Sequence, residues 1–144
     1  MLINLNLREA IRLDPGCADA HNSLGAVLGR QGRLDEAIDH LQMAIKLTPR
    51  DAGAHCNLGD ALASTGRLDE AIGQYQEALR LKPDDPETHC NLGVALGRKG
   101  RLDEAVLHLR EALTLKPDYA EAQNSLRAVL NLKAAADIPP GSKP

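Results

Sequence analysis

Two pairs of neighbouring residues, His55-Cys56 and His89-Cys90, are the side chains of this sequence best suited to chemistry. Imidazole and thiolate groups bind zinc together, and a thiolate beside an imidazole can act as a nucleophile. Neighbouring residues on a helix point about 100° apart, so neither pair can chelate a metal on one helix face. The sequence also lacks the Cys-x-x-Cys and His-Glu-x-x-His spacings of zinc sites. We therefore predict histidines that pack and thiols that line a surface groove, with no metal and no cofactor.

The other common catalytic signatures are missing from the sequence. The Gly-Ser-Lys of residues 141–143 has the wrong order for a phosphate-binding loop, and no Gly-x-Ser-x-Gly nucleophile turn occurs. These observations predict that the chain is not an enzyme.

Composition limits the partners and the fold class. The formal net charge of −3 over 144 residues argues against nucleic acid as a partner, because phosphate contacts need a surplus of Lys and Arg. No apolar run approaches the roughly 18 residues that span a bilayer, so we expect no membrane contact. An odd number of cysteines and no secretory leader favour a reducing, cytoplasmic location. With Tyr75 and Tyr119 as the only aromatic residues, the core must be aliphatic, which favours helices over strands.

The organisation of the chain follows from a repeat with a period of 34 residues. Residues 55–72 read HCNLGDALASTGRLDEAI, and residues 89–106 read HCNLGVALGRKGRLDEAV. The step is kept by a histidine, by a glycine, by an alanine and by a proline (His21, His55 and His89; Gly25, Gly59 and Gly93; Ala37, Ala71 and Ala105; Pro15, Pro49, Pro83 and Pro117). Such a period indicates stacked helix pairs. We number the units from Ala18, Ala52 and Pro86.

Each unit predicts a helix, a short turn and a second helix. In the second unit Leu58 and Leu62 lie four residues apart on an apolar stripe, and Gly66 suits the left-handed conformation that ends helices. Asp69 comes at the start of the second helix, where the helix dipole favours an acid, and Pro83 ends it. His40 and His108 share one place in the second helices, and we expect them on a solvated outer face.

The glycines inside the first helices need a physical reason, since each costs about 1 kcal/mol relative to alanine. Gly25, Gly59 and Gly93 recur where two helices would cross. We predict that each glycine faces the small alanine of the following helix, where a larger side chain would overpack the contact.

These residues resemble the tetratricopeptide repeat (TPR) family. The resemblance extends from about Leu7 to Lys133 and in the second unit is carried by Leu58, Gly59, Gly66, Ala71, Tyr75, Ala78 and Pro83. Histidine stands where the family has a tryptophan near the start of each unit, and leucine replaces the usual tyrosine of the first helix. The resemblance implies an all-α fold, a TPR α-solenoid in which antiparallel helix pairs form a right-handed superhelix.

The array is expected to have incomplete ends. We predict an N-terminal half-repeat with only a second helix, three full units, a C-terminal capping helix and a disordered tail or linker (residues 1–17; 18–51, 52–85 and 86–119; 120–135; 136–144). The half-repeat would expose Ile3, Leu7 and Ile11, so we expect a surface for homo-oligomer formation there. Ile3 and Arg127 both stand where the family has small residues, which argues against head-to-tail completion and favours a two-fold contact.

The resemblance also implies a concave, peptide-binding groove lined by the first helices. The groove residues it indicates are Asn22, Ser23, Arg30, Asn57, Asp60, Asn91, Arg98, Asn124 and Ser125. Ser23, Asn57, Asn91 and Ser125 would form a ladder of short polar groups, similar to the asparagine ladder in the repeat arm of O-linked GlcNAc transferases. An asparagine amide both donates and accepts, so it can pair with a peptide backbone whatever its side chains.

The charges of this groove are mixed. Asn22 and Ala26 stand where TPR domains that grip a chaperone's terminal carboxylate have Lys and Asn, and Glu87 replaces a Lys, so we expect no tight binding of acidic C-terminal peptides. The sequence therefore predicts a non-catalytic scaffold with a protein or peptide partner. The alternatives left open are a substrate-recruiting arm of a larger enzyme, such as a glycosyltransferase, and a self-association module.

Overall fold

The computed structural model describes residues 2–142, and over that range the chain forms eight α-helices and no strand. The helices are α1 (Leu2–Leu13), α2 (Ala18–Arg30), α3 (Leu34–Leu47), α4 (Ala52–Ser64), α5 (Leu68–Leu81), α6 (Pro86–Arg98), α7 (Leu102–Leu115) and α8 (Ala120–Ala136). Met1 of the predicted half-repeat and residues 143–144 of the predicted tail lie outside the described residues.

The chain divides after Pro83 into two compact units. From here on, the first unit and the second unit mean these two parts of the chain, and the 34-residue units of the sequence are called repeats. In the first unit α1 packs on α2, the pairs α2/α3 and α4/α5 pack together, and α3 joins one pair to the next. In the second unit α6 packs on α7 and α8 packs on both of them. Within each unit the first helices of successive pairs are neighbours, α2 beside α4 and α6 beside α8.

The turns between paired helices follow the expected chemistry. Gly32, Gly66 and Gly100 have φ values of 76°, 81° and 77°, in the left-handed region that favours glycine. After each turn an arginine forms an ion pair with the glutamate three residues later, as in Arg67–Glu70 at 2.7 Å. The acids predicted for the first turn are in place in α3, α5 and α7. The predicted role of Gly66 is thus confirmed.

The core is aliphatic, as the composition predicts. Leu24, Leu28 and Leu41 are fully buried in the first unit, and Leu92, Leu96 and Leu109 are fully buried in the second. His21, His55 and His89 are buried as well, so the prediction of packing histidines is confirmed.

The helical glycines do allow close approach, and at Gly25 and Gly93 the predicted alanine lies beside the glycine, but with its backbone carbonyl. The side chain that fills the contact belongs to another residue. A Cβ atom at Gly25 would lie 2.5 Å from Leu41 Cγ, and one at Gly59 would lie 2.6 Å from Tyr75 Cε1. The side chain opposite each glycine therefore belongs to the residue four positions after the repeat alanine, as Leu41 follows Ala37. Its atoms occupy the space that a Cβ atom on the glycine would need. Ala37 instead offers its carbonyl oxygen, 3.1 Å from that hypothetical Cβ.

The N-terminal helix exposes a different set of residues from the one predicted. Leu2, Ile3 and Leu5 are 76%, 61% and 64% exposed. Leu7 and Ile11, which the sequence placed on the same exposed face, are half-buried in a helix that packs on α2. Leu13, the last residue of α1, is 70% exposed, so the exposed apolar residues of α1 occur at both of its ends.

None of the helices described between residues 2 and 142 is both long enough and apolar enough to cross a lipid bilayer.

Candidate functional site

The predicted groove residues of the first unit lie on two adjacent helices. Asn22, Ser23 and Arg30 belong to α2, and Asn57 and Asp60 belong to α4. Ser23 and Arg30 are exposed, whereas the other three are half-buried. We call this surface the first-helix face of the first unit, and we use the same name for the surface at the matching repeat positions of α6 and α8 in the second unit.

A chain of side-chain hydrogen bonds connects α2 to the start of α4. Asn57 Nδ2 donates to Asn22 Oδ1 at 2.9 Å, and Asn22 Nδ2 donates to Asp51 Oδ2 at 3.3 Å. The other oxygen of Asp51 caps α4 by accepting from the backbone N–H of Ala54 at 3.1 Å. These linked hydrogen bonds fix the orientation of the Asn57 and Asn22 amides at the surface. Asn57 is thus hydrogen-bonded to Asn22, which was not one of the predicted ladder residues.

Asp60 is connected to the core by a contact that the sequence did not predict. The hydroxyl of Tyr75, whose ring is buried, donates to Asp60 Oδ1 at 2.7 Å. The signal was present in the sequence, since Tyr75 stands where the neighbouring repeats have Leu41 and Leu109. The hydroxyl of Tyr75 on α5 therefore fixes the position of the Asp60 carboxylate on α4 from the side of the core.

The predicted groove residues of the second unit lie on α6 and α8, which pack against each other. Asn91 on α6 and Ser125 on α8 are half-buried, and Arg98 and Asn124 are exposed. The second unit thus also presents a polar surface on its neighbouring first helices.

The structure corrects the prediction for His40 and His108, which are not on a solvated face. Both are half-buried, and each lies beside the buried histidine of its own unit, with Nδ1–Nδ1 distances of 3.0 Å to His21 and 3.1 Å to His89. Burial, followed by the charge of the paired ring, lowers the pKa of both His40 and His108.

The donor and acceptor roles in the first pair follow from a backbone carbonyl. His21 Nε2 lies 3.1 Å from the carbonyl oxygen of Pro15, which can only accept, so Nε2 carries a proton. In the uncharged ring Nδ1 of His21 then accepts from the Nδ1–H of His40. In the second 34-residue repeat the pair is His55 and Gln74, and the distance from His55 Nδ1 to Gln74 Oε1 is 2.7 Å.

The thiols do not line a groove, contrary to prediction. Cys56 is 8% exposed and Cys90 is fully buried, and burial raises the pKa of the Cys90 thiol to about 11. Among residues 2–142 no group of three His, Cys, Asp or Glu side chains is arranged to hold a metal ion.

Family models match the middle of the chain. A model described as TPR repeat matches residues 30–66 and 59–100, and a model described as Tetratricopeptide repeat matches residues 86–119. No curated protein sequence matches this chain.

Solved structures of similar fold are all-helical repeat proteins. The crystal structure of MamA has a TM-score of 0.83 and 23% identity, covering 91% of this chain and 77% of MamA. The first TPR of Spaghetti (RPAP3), bound to the HSP90 peptide SRMEEVD, has a TM-score of 0.79 and 25% identity over 81% of this chain and 93% of that one. YrrB, described as a TPR protein with an unusual peptide-binding site, has a TM-score of 0.78 and 23% identity over 93% and 69%. The fold is therefore an all-α TPR solenoid.

Proposed function

Because the chain belongs to the tetratricopeptide-repeat family, we propose that it is a non-catalytic interaction scaffold whose first-helix face binds a peptide segment. The observation that carries the proposal is the amide chain from Asn57 through Asn22 to Asp51. Half-buried amides with fixed orientations suit a peptide backbone, because little freedom is lost when they bind.

Two of the similar structures support a peptide as the ligand. The RPAP3 domain is bound to a peptide, and YrrB is described by its peptide-binding site. Proteins built from these repeats are typically scaffolds without catalysis. That this chain recruits substrates for a larger enzyme stays a prediction.

The small residues of the face favour a bulky ligand. Gly29 on α2 and Ala63 on α4 present little side-chain volume, and both are half-buried. A peptide side chain can therefore approach the helix backbones closely in the first unit. At the same place in α6, Gly97 leaves no such room, because a Cβ atom there would lie 3.1 Å from Val129 Cγ2 of α8.

The acids of the face argue for selectivity against acidic C-termini. Asp19 is exposed, and Asp60 is half-buried with its position fixed by Tyr75. In the second unit Glu87 and Glu121 are exposed. A terminal carboxylate would be repelled by these charges. We expect the peptide SRMEEVD not to bind with micromolar affinity in titration calorimetry, and such binding would contradict this selectivity.

The test of the proposed function is a selection followed by substitution. Peptides selected from a displayed random library on the wild-type chain are expected to lose binding to the double variant Asn57→Ala/Asn91→Ala. The matched control is Gln76→Ala, an exposed amide on the second helix α5. Equal binding to the double variant and to the control would place the peptide site elsewhere.

A second candidate function, self-association, is favoured by the exposed apolar residues Leu2, Ile3 and Leu5 of α1. A two-fold contact between two copies of α1 would cover them. Light scattering after size-exclusion chromatography is expected to show a dimer that Leu5→Glu abolishes. A monomer at high concentration would end this proposal.

A further inference from the structure

A cavity lies along α8, where this helix meets α7. Its volume is about 380 Å³, and it is lined by Leu113 of α7 and by Gln123, Leu126, Arg127, Leu130 and Asn131 of α8. It lies entirely within the second compact unit. Nothing in the proposed peptide site uses these residues.

The internal repeat identifies what kind of element fits this cavity. The α8 residues that line it, Gln123, Leu126, Arg127, Leu130 and Asn131, stand 34 positions after His89, Leu92, Gly93, Leu96 and Gly97 of α6. Of these α6 residues, His89 lies beside His108 and Gly93 lies beside Leu109, both on α7. Leu96 is 1% exposed, whereas Leu130 is 39% exposed. The cavity is therefore the space that a second helix fills in a complete pair.

A hydrogen bond shows that α8 is rotated about its axis as the earlier first helices are. Gln123 Nε2 donates to the carbonyl oxygen of Pro117 at 2.9 Å. His21 and His55, at the same place in the repeat, make the same contact with the carbonyl oxygens of Pro15 and Pro49, at 3.1 Å and 2.9 Å. The equivalence of the two faces thus rests on geometry as well as on spacing.

Arg127 restricts which helix can enter. At the matching position of α6, a Cβ atom on Gly93 would lie only 2.6 Å from Leu109 Cγ. A helix that docks on α8 must therefore lie farther from it than α7 lies from α6, because Arg127 has side-chain atoms where Gly93 has none. The α1 helix of a second copy has Leu7 at the place of Leu109, and Ile3 opposite Asn131, so head-to-tail stacking of copies is disfavoured.

The charge of Arg127 selects the opposite residue. Unlike Arg101, which pairs with Glu104 at 2.6 Å, Arg127 forms no ion pair within the part of the chain described. A helix packed over this guanidinium would bury it, and a buried arginine needs a carboxylate as its partner.

From these contacts we propose that the cavity binds an amphipathic helix of another protein, with an Asp or Glu opposite Arg127 and a small residue opposite Asn131. The apolar anchors on this side are Leu126 and Leu130, with Leu113 beneath them. The ligand class is thus an acidic, amphipathic helix, held by an arginine at the centre of an apolar surface.

The probe for the test is a synthetic copy of α7, which already packs on a face of this kind. One peptide has the sequence of α7 with Leu109→Glu, and its matched control keeps Leu109. A hydrocarbon cross-link between positions 107 and 111, both exposed in α7, holds each peptide helical, because isolated helices of this length are marginal.

Fluorescence anisotropy should show a reciprocal preference. The wild-type chain is expected to bind the Leu109→Glu peptide about ten-fold more tightly than the control, as one charge-assisted contact provides. Arg127→Gly, which restores the glycine of the other repeats, is expected to reverse the order. Arg127→Glu is expected to lose the acidic peptide and to gain a Leu109→Lys peptide, which guards against a folding defect of the glycine variant.

Three outcomes separate this surface from others. Asn57→Ala/Asn91→Ala should leave binding of the acidic helix unchanged, so failure of the first-helix site and failure of this site are distinguishable. Equal affinities of both peptides for wild type and Arg127→Gly would overturn the proposal. So would dimerisation of the wild-type chain that is lost in Leu130→Glu, because the occupant would then be a second copy.

Discussion

The middle helix pair, α4/α5, differs from the pairs α2/α3 and α6/α7 in the side chain that fills the glycine contact. Gly59 lies against the ring of Tyr75, while Gly25 and Gly93 lie against leucines. The same backbone arrangement thus accepts either a branched aliphatic side chain or an aromatic one.

The substitution of tyrosine for leucine changes what the core can do. A leucine at this place ends in the core, whereas Tyr75 continues through it and donates its hydroxyl to Asp60. The middle pair therefore connects the packing between its helices to a carboxylate on the first-helix face. The flanking pairs contain instead a histidine pair where the middle has His55 and Gln74.

The strongest expected contrast comes from truncating the residue that fills the glycine contact. Tyr75→Ala should lower the free energy of unfolding by about 3–5 kcal/mol, because it leaves a large cavity and removes the hydroxyl donor of Asp60. Leu109→Ala should cost about 2–5 kcal/mol through its cavity alone. Urea denaturation measures both, and a smaller loss for Tyr75→Ala would contradict the difference between the pairs.

Adding a methyl group at the glycine should be costly only where the partner is close. Gly59→Ala is expected to cost about 1–3 kcal/mol, since its Cβ would lie 2.6 Å from a buried ring. Gly73→Ala is the control, because nothing lies within 4 Å of a Cβ at that exposed position of α5. The control should gain up to about 1 kcal/mol from helix propensity. Thermal unfolding of both variants decides whether the clash or the propensity dominates.

Removing only the hydroxyl should have an intermediate effect. Tyr75→Phe is expected to cost about 1–2 kcal/mol, because the bond to a charged acceptor is lost while the ring still fills its space. Asp60→Asn keeps an acceptor and should cost less. If Tyr75→Phe unfolds in urea with unchanged stability, the hydroxyl only positions Asp60 and adds nothing to the free energy of unfolding.

The smallest effect concerns pH and is specific to the flanking pairs. Because the pKa values of His40 and His108 are lowered from 6.5 in the folded chain, the unfolded chain binds protons first as the pH falls. Stability is therefore greatest above about pH 6.5 and falls through the lower folded values. Arg8 near His40 adds to the lowering, and the acids Glu36, Asp39, Glu104 and Glu111 oppose it.

The variant His40→Gln/His108→Gln copies the middle pair and should lose less stability on acidification. The comparison uses unfolding midpoints measured at about pH 7 and about pH 5, which lie on either side of the ordinary pKa of histidine. Gln74→His should act in the opposite direction. Identical acid sensitivity of all three proteins would exclude the histidine pairs as its source.

The fold could be predicted because each repeat contains the same strong local signals. The 34-residue step, the turn glycines such as Gly66 and the apolar stripes all act within one repeat, and the structure follows them. The contacts that were missed depend on which face of a helix meets its neighbour. His40 was assigned to solvent because its spacing alone does not reveal that His21 lies opposite.

The site could be predicted only as a set of helix positions. The helices that hold Asn22 and Asn57 followed from the period, but their mutual hydrogen bond depends on rotamers and on the distance between α2 and α4. The link from Tyr75 to Asp60 likewise depends on the depth of a side chain, which a sequence pattern does not contain.

The burial of two thiols has a practical consequence for labelling. Cys56 and Cys90 are buried, while Cys17 is half-exposed just before α2. A maleimide dye should therefore react first at Cys17 in the native chain, without any engineered residue. Cys17 is distant in sequence from the cavity residue Arg127. A single dye attached to Cys17 of the unmodified protein can therefore be used in fluorescence studies of the cavity on α8.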